Sequence, residues 1–175
     1  SGLLVYKPEF GGGTIADIKV GDLVDVTGMT KEYNGTIELV GEQMRETFEA
    51  DIVYVALLDA EASVITFPYY SEDGRLEPQP AMAFGTGLTS QILAQRSPML
   101  LRRAADWDAL GERGIGTQAK TYLGVPIVEG DAAIGVISVQ STRQEGRFDD
   151  ADVRLLSTIA ANVGVAIQNA RLYRE

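Results

Sequence analysis

The chain has 175 residues, 45% of them hydrophobic, which suits one domain or one domain with an appendage. Its formal net charge of −10 disfavours generic binding to nucleic acid, because the phosphate backbone carries the same sign of charge. It contains no cysteine and no histidine, which excludes disulfides, thiolate metal sites, iron–sulfur clusters and histidine-ligated haem, and removes the commonest general base.

The chain shows no sign of membrane insertion or export. No segment reaches the ~18 consecutive apolar residues of a membrane span, and no signal-peptide layout opens the sequence. We therefore expect a cytoplasmic protein without a membrane partner. The sequence starts at Ser1 rather than at a methionine, which favours a segment excised from a longer protein.

Residues 1–38 have the pattern of a short antiparallel β segment. Apolar residues alternate around Val24 and Val26, and Asn34-Gly35 is a turn signal typical of hairpins. The motifs VGDLVDVTG and EYNGTIEL resemble the middle of an OB-fold domain, a small barrel that often binds nucleic acid or oligosaccharides. The segment is too short to close such a barrel, and it lacks a platform of stacking aromatic and basic residues. We expect an extra N-terminal β-hairpin, attached to the main sheet or exchanged with a partner chain. The change in sequence character near Leu39 also suggests a chimera.

The next elements alternate between helix and strand. Val40, Met44 and Phe48 recur every four residues and predict a short amphipathic helix over residues 39–50. Residues 51–59 are apolar on both parities, as expected of a central strand with both faces covered. A second strand, VITFPYY, is favoured at an edge because it contains Pro68.

Two glycines precede the next predicted helix, which runs from about Leu88 to Arg96 and ends before Pro98. The lone Gly85-Thr86-Gly87 is a weak phosphate-loop signal, and a helix-initiating turn is the favoured interpretation. The charged, glycine-rich stretch that follows contains the only tryptophan, Trp107. This residue is either a core anchor or part of a lid.

The last third of the chain predicts a hairpin and a long helix. TYLGVPIVEGDAAIGVISVQ holds two apolar runs broken at residues 129–131, as in two central strands joined by a tight turn. Asp149 and Asp150 are good helix-capping residues. The helix then carries an apolar stripe of six residues: Val153, Leu156, Ala160, Val163, Ile167 and Ala170. This spacing fits either a face packed on the core or a coiled-coil seam. From the stripe we predict a homodimer.

These closing motifs, in order, resemble the GAF domain family, small sensory domains of signalling proteins. LGVPI, IGVISVQ, a polar loop with Phe148 and Asp152, and a helix ending in AIQNARLY carry the resemblance, which covers residues 39–175. It implies an α+β fold with a central antiparallel sheet of five or six strands. The first and last helices would pack on one face, and the Gly85 helix with the Trp107 loop on the other.

The resemblance implies a non-catalytic sensor that binds a small ligand between sheet and lid. Its long C-terminal helix would relay the signal to the effector domain of a larger protein. Small or polar residues at alternate strand positions are the predicted pocket lining, with three more at its rim: Tyr54, Ala56, Ser138 and Gln140, then Thr86, Trp107 and Tyr122. The pattern leaves open which strand parity faces the pocket.

Several functions of the family are excluded or disfavoured. The missing histidine and cysteine remove haem-linked sensing, covalent bilin binding and methionine sulfoxide reduction, so we expect no cofactor. Members that bind cyclic nucleotides often carry an Asn-Lys pair, a Phe and an Asp-Glu pair. Phe148 and Asp152 match this signature, whereas Ser141-Thr142 and Val153 do not. A structural role of Phe148 and Asp152 is therefore favoured over cyclic-nucleotide binding.

Catalysis is also disfavoured by the sequence itself. The chain has no GxSxG motif, no P-loop and no metal-ligand spacing, and its serines have no histidine partner. Two alternatives to a ligand sensor remain open. One is a ligand-free scaffold for dimerisation and relay, and the other is nucleic-acid binding through the OB-like segment.

Overall fold

The structure, a computed structural model, describes residues 29–111 and 118–172. These two ranges contain four helices and seven strands. In chain order they are α1 (Met29–Phe48), β1 (Ile52–Asp59), β2 (Val64–Glu72), β3 (Arg75–Leu76), β4 (Met82–Ala83), α2 (Gly87–Gln95), β5 (Met99–Leu101), α3 (Ala104–Leu110), β6 (Thr121–Glu129), β7 (Ala132–Ser141) and α4 (Asp150–Leu172).

The strands form one antiparallel sheet in the order β3-β2-β1-β7-β6-β5, with β4 also paired to β2. The central position belongs to β1, β7 and β6, the strands that are apolar on both parities, because only central strands are covered on both faces. The pairing of β1 with β7 joins the two halves of the chain, setting Tyr54 opposite Ser138. The predicted α+β fold with an antiparallel sheet between helices is confirmed.

Helices α1 and α4 cover one face of the sheet. Met44 and Phe48 of α1 meet Leu156, Ala160 and Ile167 of α4 in one buried cluster with the inward residues of β1, β6 and β7. The predicted stripe of α4 therefore serves the core. The physical reason is that Leu123, Val125 and Ile127 of β6 present a continuous apolar face that must be covered.

Helices α2 and α3 cover the opposite face. Ile92 and Leu93 of α2 and Trp107 of α3 are buried against β1, β6 and β7 in a second cluster. Arg96 ends α2 in the left-handed conformation, two residues before Pro98, close to the predicted end. This arrangement of helices on the two faces is the one expected from the sequence.

The last part of the β segment predicted over residues 1–38, from residue 29 onward, is wrong, because these residues lie in α1. The short helix predicted over residues 39–50 is the second half of α1, which has 20 residues. Ile37 is buried seven residues before Met44, so the helical stripe extends further upstream and outweighs the local Asn34-Gly35 turn signal. The predicted division at residue 38 falls inside this helix. The remainder of the predicted β-hairpin, residues 1–28, lies outside the described residues.

Among the described residues, no helix combines the length and the hydropathy that crossing a membrane requires.

Candidate functional site

Buried hydroxyl groups meet on the face covered by α2 and α3. The hydroxyl of Tyr54 lies 2.7 Å from that of Tyr122 and 2.9 Å from Oγ1 of Thr89. Beside them, Nε2 of Gln140 donates to Oγ of Ser138 at 3.4 Å. All five side chains are buried. We call Tyr54, Thr89, Tyr122, Ser138 and Gln140 the hydroxyl cluster.

Strand register brings these residues together. Tyr54 pairs with Ser138, and Tyr122 pairs with Gln140, so their side chains project to the same face of neighbouring strands. Gly124, opposite Ser138, leaves the room that the cluster needs. A Cβ on Gly124 would lie 2.7 Å from the Tyr122 hydroxyl and 2.5 Å from Cδ1 of Ile92 in α2.

Aromatic rings surround the hydroxyl cluster. Trp107 packs edge-on against Tyr122 with ring centroids 6.0 Å apart, while Tyr54 contacts Phe67 edge-on and stacks on Tyr70. Trp107 is only 6% exposed, and its Nε1–H has no hydrogen-bond partner in the structure. A buried donor without a partner is unfavourable, and such groups are rare in folded proteins. The indole N–H is therefore available to an acceptor that enters this region.

The hydroxyl cluster is uncharged at neutral pH. Burial raises the pKa of Tyr54, and burial together with the neighbouring Tyr54 raises that of Tyr122 well above its ordinary value. Among the described residues, the buried polar side chains include no Asp, Glu, Lys or Arg. Such a site suits a neutral ligand that exchanges hydrogen bonds, since an ion would lose its hydration without gaining an opposite charge.

Stability is expected to fall as the pH rises above 10. Burial and a hydrogen bond to Glu42 raise the pKa of Tyr69 from 10.0 to about 12, and the pKa values of Tyr54 and Tyr122 are raised in the same direction. Between pH 10 and 12 the unfolded chain loses these protons while the native protein retains them, so the free energy of unfolding decreases. Urea unfolding at pH 8 to 11.5 measures the decrease. A Tyr69→Phe variant should show a shallower decline, and a flat profile would contradict the prediction.

The structure brings six of the seven predicted pocket residues to one face of the sheet. Tyr54, Tyr122, Ser138 and Gln140 lie in the hydroxyl cluster, and Trp107 packs against it. Thr86 does not join them: it precedes α2 as the N-cap residue and is exposed. Ala56 is buried on the same face.

Sequence reasoning missed Thr89 and the aromatic pair Phe67 and Tyr70. Thr89 shares the buried side of α2 with Ile92 and Leu93, at the three- and four-residue spacing of a helix face. That spacing was the available signal for Thr89. Phe67 and Tyr70 lie within a predicted edge strand, and only tertiary packing places them beside Tyr54.

Two open cavities lie away from the hydroxyl cluster. One, of about 490 Å³, is a groove between α4 and the β6–β7 turn, and the other, of about 400 Å³, is lined by charged residues after β2. Within the hydroxyl cluster, the side chains bond to each other directly. A ligand that bonds to these hydroxyls would have to replace the bonds that they make to each other.

A corner at Arg102 connects the Trp107 helix to α4. The backbone N–H groups of Arg102 and Arg103 donate to Oδ2 of Asp106 at 2.7 and 3.0 Å, which fixes the start of α3 and lowers the pKa of Asp106. The Arg102 carbonyl accepts from the N–H of Gly146, and its guanidinium donates to Asp150, the first residue of α4. Trp107 and the start of α4 are thus linked through one residue.

The residues that match part of the cyclic-nucleotide signature have structural contacts. Phe148 is buried edge-on against Phe48. Asp149 and Asp152 each accept a hydrogen bond from the other's backbone N–H, a reciprocal cap at the start of α4. The backbone N–H groups of Asp152 and Ala151, which donate to Asp149, lower the pKa of that carboxyl.

The Ser141-Thr142 pair contacts Asp51 instead. Both hydroxyls and the Thr142 N–H donate to Oδ2 of Asp51, which ties the end of β7 to the start of β1. Among the described residues, no group of three acidic side chains is arranged to hold a metal ion.

Comparison with known proteins identifies related structures. The family model described as GAF domain matches residues 30–168. The GAF domain of an Acinetobacter phosphoenolpyruvate-protein phosphotransferase is 18% identical with a TM-score of 0.67, covering 80% of this chain and 84% of that one. Free methionine-R-sulfoxide reductase from Neisseria meningitidis is 18% identical with a TM-score of 0.69, covering 81% of each chain. A fragment of a methyl-accepting chemotaxis protein is 17% identical with a TM-score of 0.69, covering 83% of this chain and 95% of that one.

At these identities the solved structures establish the fold. The family match begins at residue 30, nine residues before the predicted boundary at residue 39. Neither the family match nor these structures support the OB-like resemblance or a chimera.

Proposed function

Because this chain belongs to the GAF domain family, which occurs in signalling proteins, we propose that it is a non-catalytic sensor of a small neutral ligand. The ligand would bind without a covalent link among the hydroxyl cluster and the surrounding aromatic rings. The domain would act within a larger signalling protein, and a cytoplasmic location remains a prediction from the sequence.

The unpartnered indole N–H of Trp107 carries this proposal. Trp107 is buried edge-on against the ring of Tyr122, whose hydroxyl bonds to that of Tyr54. Both tyrosines are protonated at neutral pH. A ligand oxygen or ring nitrogen accepting from Trp107 would satisfy the donor and could bond to either tyrosine. The aromatic rings of Phe67 and Tyr70 would supply apolar contact, as expected of small-molecule sites.

The Arg102 corner supports relay through α4. Displacing Trp107 would move α3, the helix that contains it. Asp106 of α3 accepts a hydrogen bond from the backbone of Arg102, and the Arg102 guanidinium donates to Asp150 of α4. A ligand that binds more tightly when Trp107 is displaced would raise the population of that state, and with it change the conformation of the α4 N-terminus. The guanidinium–carboxylate pair is exposed and weak by itself, so the backbone bond from Gly146 to Arg102 is the firmer link.

A non-catalytic role fits the chemistry of the chain. One structural neighbour is named as a free methionine-R-sulfoxide reductase. The present chain has no cysteine that could supply a thiolate, and no histidine that could act as a base. Raised pKa values keep Tyr54 and Tyr122 protonated, so they would donate or accept hydrogen bonds rather than abstract protons.

A ligand-free relay scaffold is the second candidate. The direct contact of 2.7 Å between the Tyr54 and Tyr122 hydroxyls favours it, because these groups already satisfy each other.

Native mass spectrometry of the purified protein, followed by addition of the released compound to ligand-depleted protein, separates the two candidates. We expect a non-covalent adduct that changes the emission of Trp107, the only tryptophan. Tyr122→Phe should weaken binding by about two- to twelvefold, since a lost hydrogen bond is worth about 0.5–1.5 kcal/mol. Tyr69→Phe is the matched control, because its hydroxyl lies on the α1 side and bonds to Glu42.

Hydrogen exchange in the same samples tests the relay. Ligand binding should change the exchange of the amides of residues 150–155. Arg102→Gln removes the guanidinium link to Asp150 and keeps the backbone bond from Gly146, so it should reduce that change only in part and leave the change in Trp107 emission. A bare protein mass from several expression hosts would favour the ligand-free scaffold.

A further inference from the structure

The surface groove between α4 and the β6–β7 turn, with a volume of about 490 Å³, is mostly apolar. Its helix side contains Ala161, Gly164 and Val165, and its sheet side contains Pro126 and Val128. Val128 is 40% exposed and Val165 57%, although both are apolar. Exposed apolar surface within a groove is typical of interaction sites. We call this cavity the α4–β6 groove.

The sheet side of the α4–β6 groove is a stretch of β6 without a strand on its outer side. β7 pairs with β6 along its whole length, whereas β5 pairs only with residues 122–124. Among the described residues, no strand pairs with residues 125–129 from the outer side. A free strand edge presents backbone N–H and C=O groups to which another strand can bond.

Pro126 indicates which residues of β6 direct their backbone groups outward. Proline has no N–H, so it fits a strand that is paired on one side only if the position of the missing N–H faces the other side. Tyr122 and Gly124, opposite β5, share the parity of Pro126, and so does Val128. The bulge between β6 and β7 places its extra residue, Ile134, in β7, so β6 keeps this alternation. The Pro126 carbonyl and the Val128 N–H therefore face the groove.

These two groups suit a parallel strand. In parallel pairing, one residue of the added strand donates its N–H to one residue of the neighbour and accepts from the residue two positions further on. A single partner residue opposite Ile127 can therefore bond to both the Pro126 carbonyl and the Val128 N–H. An antiparallel strand would need the Val128 carbonyl, which α4 covers, since a Cβ on Gly164 would lie 2.8 Å from that oxygen.

The shape of the groove fits one extended strand. It follows α4 from Ser157 to Gln168, about 16 Å at 1.5 Å per residue, which is the length of about five residues of a strand. A second copy of this sheet would bring its own α4 beside its β6 edge. The two helices would meet before the two edges could pair, so a single segment fits better than a folded sheet.

Charge favours an uncharged segment with basic ends. Among the described residues that line the groove, only Glu129 is charged. The net charge of −10 repels an acidic segment and attracts a basic one. Because side chains alternate along a strand, apolar residues at every second position would face Ala161 and Val165.

We propose that the α4–β6 groove binds an extended segment of another protein, apolar at alternate positions and basic at its ends, as a short parallel strand on β6. Backbone bonds to β6 provide the orientation, and apolar contact with α4 provides the selectivity. The strand is short and makes few bonds, so the association is weak and reversible. This inference does not depend on a ligand at the hydroxyl cluster.

Synthetic peptides added to the whole chain test the proposal. The probes are fluorescently labelled Lys-Lys-Val-Thr-Val-Thr-Val-Lys-Lys and its isoleucine and leucine counterparts, and anisotropy gives the dissociation constants. We expect at least one peptide to bind with a dissociation constant below about 1 mM. Proline at the central position should weaken binding at least about tenfold, because it removes the N–H that bonds to β6 and restricts the backbone.

Two variants of α4 form a matched pair. Val165→Lys should raise the dissociation constant at least about tenfold, because the ammonium group repels the basic ends and loses hydration in the groove. Leu155→Lys makes the same change at an apolar residue of α4 that is 44% exposed and does not line the groove. It should leave the dissociation constant nearly unchanged.

Amide exchange measured by nuclear magnetic resonance tests the strand itself. Bound peptide should slow the exchange of the Val128 amide and leave that of Tyr122, which already faces β5, unchanged. Absence of binding by all three peptides, tolerance of Val165→Lys, or an unchanged Val128 amide would overturn the proposal. Without peptide, a Val128 amide protected only at high protein concentration would assign the groove to a second copy. Protection at every concentration would assign it to another part of this chain, and either result would also overturn the proposal.

Discussion

Replacing Phe148 with alanine is expected to lower the free energy of unfolding by about 3–5 kcal/mol, a large fraction of the 5–15 kcal/mol typical of a domain. Phe148 is only 1% exposed and packs edge-on against Phe48, with ring centroids 6.3 Å apart. The guanidinium of Arg147 lies 5.5 Å above its ring. Truncation would leave a cavity where the start of α4, the end of α1 and the sheet meet.

Phe84→Ala is the matched control for this prediction. Phe84 is 39% exposed and lies between β4 and α2, so its loss should cost much less than that of Phe148. Urea denaturation monitored by circular dichroism gives both free energies. Equal destabilisation by the two variants would mean that Phe148 does not anchor the core as described.

Replacing Gly41 with alanine is expected to destabilise the protein by about 1–3 kcal/mol, the usual cost of overpacking. Helix propensity alone predicts the opposite sign, because alanine is favoured over glycine by about 1 kcal/mol inside a helix. Gly41 lies in α1 directly against the ring of Tyr69, and a Cβ would meet three ring atoms, with Cε1 the nearest. Relieving the collision would displace Tyr69 and break its hydrogen bond to Glu42.

A double-mutant cycle isolates the cause. Tyr69→Ala removes the colliding ring, so in that background Gly41→Ala should be neutral or stabilising. Thermal and urea unfolding of the four proteins supply the cycle. If Gly41→Ala raises stability in the parent protein, then α1 does not approach β2 as closely as the structure shows.

The best-predicted part of the fold is the C-terminal third. The two apolar runs of β6 and β7, with their break at Gly130, determine a central hairpin almost locally, because a buried strand must be apolar on both sides. The stripe of α4 was equally clear. Its role in the core followed only from the sheet face that it covers.

Local signals failed where tertiary packing competes with them. Asn34-Gly35 is a strong hairpin signal in isolation, yet burial of Ile37, Met44 and Phe48 along one helical face outweighs it. Thr86 was predicted at the rim of the pocket because the family resemblance sets its loop beside the ligand. The backbone turns there to begin α2, and Thr89 occupies the inward position instead.

The sequence by itself determined the chemistry that this protein cannot perform. Without cysteine or histidine, thiolate redox steps and histidine-based catalysis have no residue to carry them. Only the tertiary structure decided which strand parity faces α2 and α3, and so placed Tyr54, Ser138 and Tyr122 together. A central strand is apolar on both parities, so its pattern is nearly symmetric. The side on which each helix packs breaks that symmetry, and this depends on contacts between residues far apart in the chain.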